Sequence, residues 1–162
     1  MDVNDPAVMR TIAGLLDEYD AALAANDTAA LDAFFWNSPH VVRFGVAEQC
    51  YGIDEVRAHR TAGPPAPRDR VVVRREIATF GGTLATVMSE VAMLVDGTQQ
   101  RRRLSQTWVQ IPGLGWRIVA AHASTPFASS VDDSPWRRYA DMLAGSLGLT
   151  LDDPRRAGMA AG

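Results

Sequence analysis

The stretch Arg101–Phe127, RRRLSQTWVQ-IPGLG-WRIVAAHASTPF, decides the fold. Two runs rich in β-formers flank the turn Pro112-Gly113-Leu114-Gly115, the pattern of a β-hairpin. Strict alternation puts Trp116, Ile118, Ala120, His122 and Ser124 on one face of the second run. Arg117, Val119, Ala121 and Ala123 then share the other. Neither face is cleanly polar, so both are at least partly covered. The first face is expected to pack a core near the turn and line a polar pocket towards His122 and Ser124.

Working outward, three long strands are predicted: Val71–Phe80, Thr83–Val95 and Gln99–Ile111. Gly81-Gly82 and Asp96-Gly97 supply the tight turns between them. The Pro/Gly-rich loop 62–67 (AGPPAP) precedes them and is the best candidate for a lid. Before it, Asp54 caps a short helix, Glu55 to about Thr61, carrying Val56 and Arg60. Earlier still, HVVRFG (40–45) and Glu48–Tyr51 read as a small hairpin in which Arg43 alternates with Val42 and Phe44. Spacing leaves both faces open to Arg43. On the inner face it needs an anionic partner.

Asn4-Asp5-Pro6 starts a first helix, with Ile12, Leu15, Leu16, Tyr19, Ala22 and Leu23 at three- and four-residue spacing. Asp27 caps a second helix bearing Leu31, Phe34 and Phe35. Tyr19 lies on the buried stripe, where its hydroxyl needs a partner, a backbone carbonyl being the plain structural answer. After Phe127, residues Pro135–Leu147 read as a C-terminal helix and 152–162 as a polar tail. The expected class is α+β: a cone of about six bent antiparallel strands wrapped around the N-terminal helix, with a C-terminal helix. Residues 1–130 form the cone domain and 131–162 the helix and tail. A cone of this kind has an open mouth and a small, partly polar interior suited to a ligand.

The 162 residues suit a single core, and 47% hydrophobic with 22% charged content argues against disorder. A net charge of −3 offers no broad basic field for nucleic acid. Neither a signal segment nor a membrane span is read, and the lone Cys50 leaves no disulfide framework. A cytoplasmic location is the expectation. His40, His59 and His122 have no metal-ligand spacing, and no phosphate loop or G-x-S-x-G elbow occurs. The hydrogen-bonding residues that could face inward are Tyr19, Arg43, Arg60, Ser105, Gln106, His122 and Ser124.

Beyond spacing, the chain resembles the AtzH-like family of the nuclear transport factor two-like (SnoaL-like, cystatin-like cone) superfamily, a family that includes 1,3-dicarboxyurea decarboxylase and an oxalurate-catabolism protein. The resemblance rests on YDAAL (19–23), LDAFFW (31–36), Arg43-Phe44-Gly45 with Glu48, Tyr51-Gly52 and Phe80-Gly81. Its most specific part is SQTWV (105–109) with GWRIVAAH (115–122). It spans roughly Val3–Phe127. The chain departs from the family pattern in three places. His59-Arg60 and Gly63 replace Phe-Arg and a second Arg. Arg102-Arg103 stand for Gly-Arg, and His122-Ala123-Ser124 for His-Val-Ser.

The resemblance implies a site built on Tyr19 and Arg43 as catalytic residues, with Arg60, Ser105, Gln106, His122 and Ser124 as substrate-binding candidates and neither metal nor organic cofactor. An Arg offers a charged fork to a carboxylate, and a Tyr hydroxyl can deliver a proton as carbon dioxide leaves. The implied activity is decarboxylation of a small N-carboxylated urea or carboxylated amide in nitrogen catabolism. A non-catalytic ligand-binding or accessory subunit of an amidase is the alternative. An isomerase or cyclase, which would need an inward base from Glu48, Glu90 or Asp20, is the weaker one. A homodimer or tetramer is expected through an outer sheet face presenting Val87, Met93 and Trp108 or their alternates.

Overall fold

A computed structural model describes residues 1–67, 69–95 and 97–126. The expected C-terminal helix, 135–147, and the tail lie outside the described residues. Helix α1, Pro6–Ala25, begins where Asp5 accepts hydrogen bonds from the Ala7 and Val8 amides, with Pro6 in the first turn. It ends at Asn26 in the left-handed conformation. Asn4 ties this start to the sheet: its backbone N–H donates to the Thr79 carbonyl, and its side chain accepts from the Thr79 amide. Helix α2, Thr28–Phe34, is capped by Asp27.

Strands β1 (Val42–Phe44) and β2 (Gln49–Tyr51) form the small hairpin. Helix α3 runs Ile53–Ala62. Its cap is Gly52, not Asp54 as the sequence suggested. The chain enters α3 at a positive φ, a backbone conformation that side-chain-bearing residues rarely adopt, so glycine takes the cap position. Strands β3 (Val71–Phe80), β4 (Leu84–Val95), β5 (Thr98–Ile111) and β6 (Gly115–Ser124) follow as three consecutive hairpins.

The six strands form one sheet in the order β2-β1-β6-β5-β4-β3. All pairings are antiparallel except one: β1 lies parallel to β6, with Arg43 opposite Ala121. The sheet curls with the help of two bulges, at Val73 on β3 and at Val119 on β6, each an extra residue that bends its strand. Its concave face holds Ala85, Val87, Val91, Trp108 and Ile118, all essentially inaccessible, against Ile12 and Leu16 of α1 and Val56 of α3. Burying these side chains supplies the main stabilisation of the fold.

Two expectations about faces change. Val87, Met93 and Trp108 are buried in the concavity, and their alternates Met88 and Leu94 are exposed on the convex side. The Val119 bulge also breaks the alternation along β6: Trp116 and Ile118 face the core, while Ala121 and Ala123, not His122 and Ser124, continue that face. No helix among the described residues is long and apolar enough to cross a membrane.

Candidate functional site

The concavity leaves a cavity of about 770 Å³ between α1, α3, the 63–67 loop and the inner sides of β1, β5 and β6. Tyr19, Arg43, Arg60 and Gln106 all line it. Tyr19 arrives on the inner stripe of α1, where Phe34 meets its ring edge-on at 5.5 Å and in turn meets Trp108 at 6.1 Å. Burial pushes the Tyr19 phenol above its ordinary pKa, against the opposing charges of Arg60, Arg43 and Arg70. Its hydroxyl therefore stays protonated at neutral pH and can act as a donor.

Arg43 sits on the inner face of β1, in line with Ala121 of β6 and Gln106 of β5. The anionic partner that an inward Arg requires is Glu48, which accepts a hydrogen bond from Arg43 Nη1 at 2.7 Å across the hairpin. The carboxylate reaches Arg43 through the space beside Gly45: a Cβ there would overlap it, so a side chain at this position displaces the acid from where it now sits. His59 Nε2, on the last turn of α3, lies 3.2 Å from the same Glu48 oxygen. Burial would raise the Glu48 carboxyl, but the Arg43 bond and charge, the Ala47 amide and His59 hold it below the ordinary carboxylate range.

Arg60 leaves α3 one residue later, pairs with Asp32 of α2 and stacks its guanidinium over the Phe35 ring, 5.2 Å from the centroid. Burial lowers its pKa, opposed by Tyr19. The LDAFFW segment thus supplies an acid for Arg60, a ring beneath it and the aromatic wall behind Tyr19. Asp20, next to Tyr19, binds Arg70 at 2.7 Å and Arg75 at 2.6 Å. Gln106 points inward and accepts from the Trp108 indole N–H at 3.1 Å.

Ser105, on the interior strand β5, borders two hollows, contributing to the cavity wall and to a groove of about 530 Å³ on the convex side. Ser124 belongs to that convex groove alone. His122, exposed and paired with Ser105 across the strands, likewise borders both hollows, its ring 6.3 Å from Phe44. Of the expected grouping of Tyr19 and Arg43 with His122 or Ser124, the cavity brings together Tyr19, Arg43 and His122, and Ser124 lies outside it. The Val119 bulge shifts the parity of β6, so that Ala121 and Ala123 take the inward positions.

Sequence reasoning left Asp32, His59, Arg70 and Arg102 out of the site, and named Glu48 only as a candidate base. The Arg43–Glu48 pair was signalled by their placement on opposite arms of one short hairpin. The Asp20 pairs span 50 and 55 residues and carry no local signature. Among the described residues, no three His, Cys, Asp or Glu side chains gather as metal ligands would.

An N-terminal helix seated in a curled, open six-stranded sheet defines the cystatin-like, nuclear transport factor 2-like class. The chain belongs to the AtzH-like family, whose profile matches residues 1–128. Among solved structures, a cystatin-like fold protein from Burkholderia xenovorans is 40% identical with a TM-score of 0.72, covering 77% of this chain and 96% of that one. A protein of unknown function from Pectobacterium atrosepticum is 41% identical with a TM-score of 0.71, covering 77% and 95%. A nuclear transport factor 2-like superfamily protein from Salmonella enterica, 20% identical with a TM-score of 0.65, covers 80% and 98% and shares the fold. A search of curated proteins finds no match.

Proposed function

We propose that the chain is a cofactor-independent decarboxylase of a small N-carboxylated urea or related carboxylated amide. One observation carries this reading: a protonated Tyr19 hydroxyl sits in a cavity lined by Arg43, Arg60, Arg70 and Arg102. The chain as a whole is acidic, at −3, yet these four arginines share one cavity, where an anionic ligand would sit. Glu48 engages one nitrogen of Arg43, and no other described side chain bonds the rest of that fork, which is left for a substrate carboxylate.

In the proposed step, the C–N bond of the N-carboxylate breaks and its electron pair stays on nitrogen. Tyr19 donates its proton to that nitrogen, and carbon dioxide leaves. The transient tyrosinate is stabilised by Arg60 and Arg43 and regains a proton from water at the mouth. The isomerase reading fares worse. Glu48 lines the cavity, but its lowered pKa makes it a weak base. Glu90 pairs with Arg101 and belongs to the convex groove, while Asp20 is held by two arginines.

The test is carbon dioxide release from 1,3-dicarboxyurea by the purified protein. Arg43→Ala is expected to lower kcat/KM by about 10- to 100-fold, for the loss of one charge-assisted contact. Lys at the same position rescues poorly, because an ammonium cannot form the fork. Saturable binding of a small carboxylate without turnover would overturn the enzyme reading and support an accessory binding subunit.

A further inference from the structure

Arg102 stands apart from the other arginines of the cavity. Arg43, Arg60 and Arg70 each have a carboxylate within salt-bridge distance. Arg102 has none among the described residues, and its Nε is buried without any hydrogen-bond partner. Its direction is fixed by register: Arg102 lies opposite Val91, in the same unbroken β4–β5 ladder that places Trp108 opposite Ala85 on the concave face. The guanidinium therefore belongs to the cavity, which it lines. An arginine that lines a ligand cavity without a counter-charge, with the Nε of its fork buried and unbonded, is short of an anion there.

We propose that Arg102 is a second anion seat, and that the ligand carries two carboxylates, one received at Arg43 and the other at Arg102. The two positions suit opposite ends of one short molecule. Arg43 aligns with Gln106 across β6, and Arg102 lies four residues further along β5. That separation is about 13 Å along the strands and about 9.5 Å across them at the backbone. Both side chains line the shared cavity, so their heads lie closer together than their backbones, within the span that a diacid can bridge in the proposed complex. The seats are also unequal. Glu48 partly neutralises Arg43, while the Arg102 seat keeps its full charge and so favours a substituent that is always ionised. This deepens the decarboxylase reading, on which it rests only for the chemistry performed, because binding of a dianion does not require turnover.

The experiment is calorimetric titration of the purified protein with succinate, glutarate and adipate, and with butyrate, valerate and hexanoate as monoacids of matching length. Wild type is expected to bind the best-fitting diacid roughly tenfold or more tightly than its monoacid. Arg102→Met, which keeps the aliphatic stem, is expected to reduce that preference to about twofold or less while monoacid affinity holds, and Arg102→Lys to retain part of it. Removing Arg102 strands no carboxylate, so the Met variant is expected to melt no lower than wild type. A wild type without diacid preference, or an Arg102→Met variant that keeps it, overturns the second seat. Diacid preference lost in Arg102→Met, together with no carbon dioxide release by wild type, sustains the seat and removes only the decarboxylase reading.

Discussion

Gly45→Ala tests the hairpin that positions Arg43. The glycine does not have a positive φ, so alanine suits its backbone, and on conformational entropy alone the change would stabilise the protein by about 0.4–1 kcal/mol. The new methyl instead occupies the space of the Glu48 carboxylate and must push it off Arg43. The pair lost is a 2.7 Å charged hydrogen bond with each side chain 26% exposed, so solvent already screens part of it. A net cost of about 1–2 kcal/mol follows, or roughly 2–8 °C in Tm for a chain of this size. In a Glu48→Ala background the clash has no object, and Gly45→Ala should become neutral or stabilising. Urea and thermal melts of the four proteins of this double-mutant cycle give the coupling directly. Equal effects of Gly45→Ala in both backgrounds would refute the account of why this position is glycine.

Three further outcomes follow from the same geometry. The lowered Glu48 pKa means that its contribution to stability is present above its unfolded pKa and lost as pH falls through the lower folded value. Wild type should therefore lose more stability than Glu48→Gln between about pH 5 and 3, and parallel curves would count against the pair. Tyr19→Phe removes a hydroxyl that has no hydrogen-bond partner among the described residues and keeps the ring against Phe34, so melting should shift by less than about 0.5 kcal/mol equivalent while turnover falls by about 10²-fold or more. A large stability loss with unchanged turnover would mark the hydroxyl as structural. Self-association through the convex face, where Met88 is 55% exposed beside Glu76 and Glu90, predicts that Met88→Glu weakens the oligomer in light scattering; a wild type that is monomeric at micromolar concentration would sink the idea.

Much of the fold was legible because turn chemistry is local. Gly81-Gly82 and Pro112–Gly115 announce their hairpins, and the predicted Val71–Phe80 matches β3 end to end. The bulge at Val119 was not legible. Ile118-Val119-Ala120-Ala121 is apolar throughout, so an inserted residue leaves no mark in the alternation, yet it decides on which side His122 and Ser124 emerge. Arg102 was hidden differently. In a run of three arginines only the parity of a neighbouring anchor shows which one turns inward, and the sequence leaves open whether Trp108, the anchor, or its alternates take the outer face. Tyr19 and Arg43 could be nominated from family resemblance, but the acids that hold the arginines come from other elements, and no spacing rule links Asp20 to Arg70 or Asp32 to Arg60.

The single parallel junction in the sheet governs the order in which the site can come together. β3 to β6 meet through successive hairpins, whose loops are short and cheap to close. β1 joins β6 only after a closure of roughly 80 residues, from Val42 to Ala120, an entropically costlier step than any of the hairpins. The arm carrying Arg43 therefore docks onto a platform that already holds Gln106 and Arg102. We expect substitutions at the β1–β6 seam, such as Val42→Ala, to speed unfolding while leaving the refolding rate nearly untouched; a matching slowdown in refolding would contradict this order. On this view the polypeptide finishes its scaffold before it commits its reactive arginine, and a ligand spanning both would act as a clasp between the first-made and the last-joined parts of the chain.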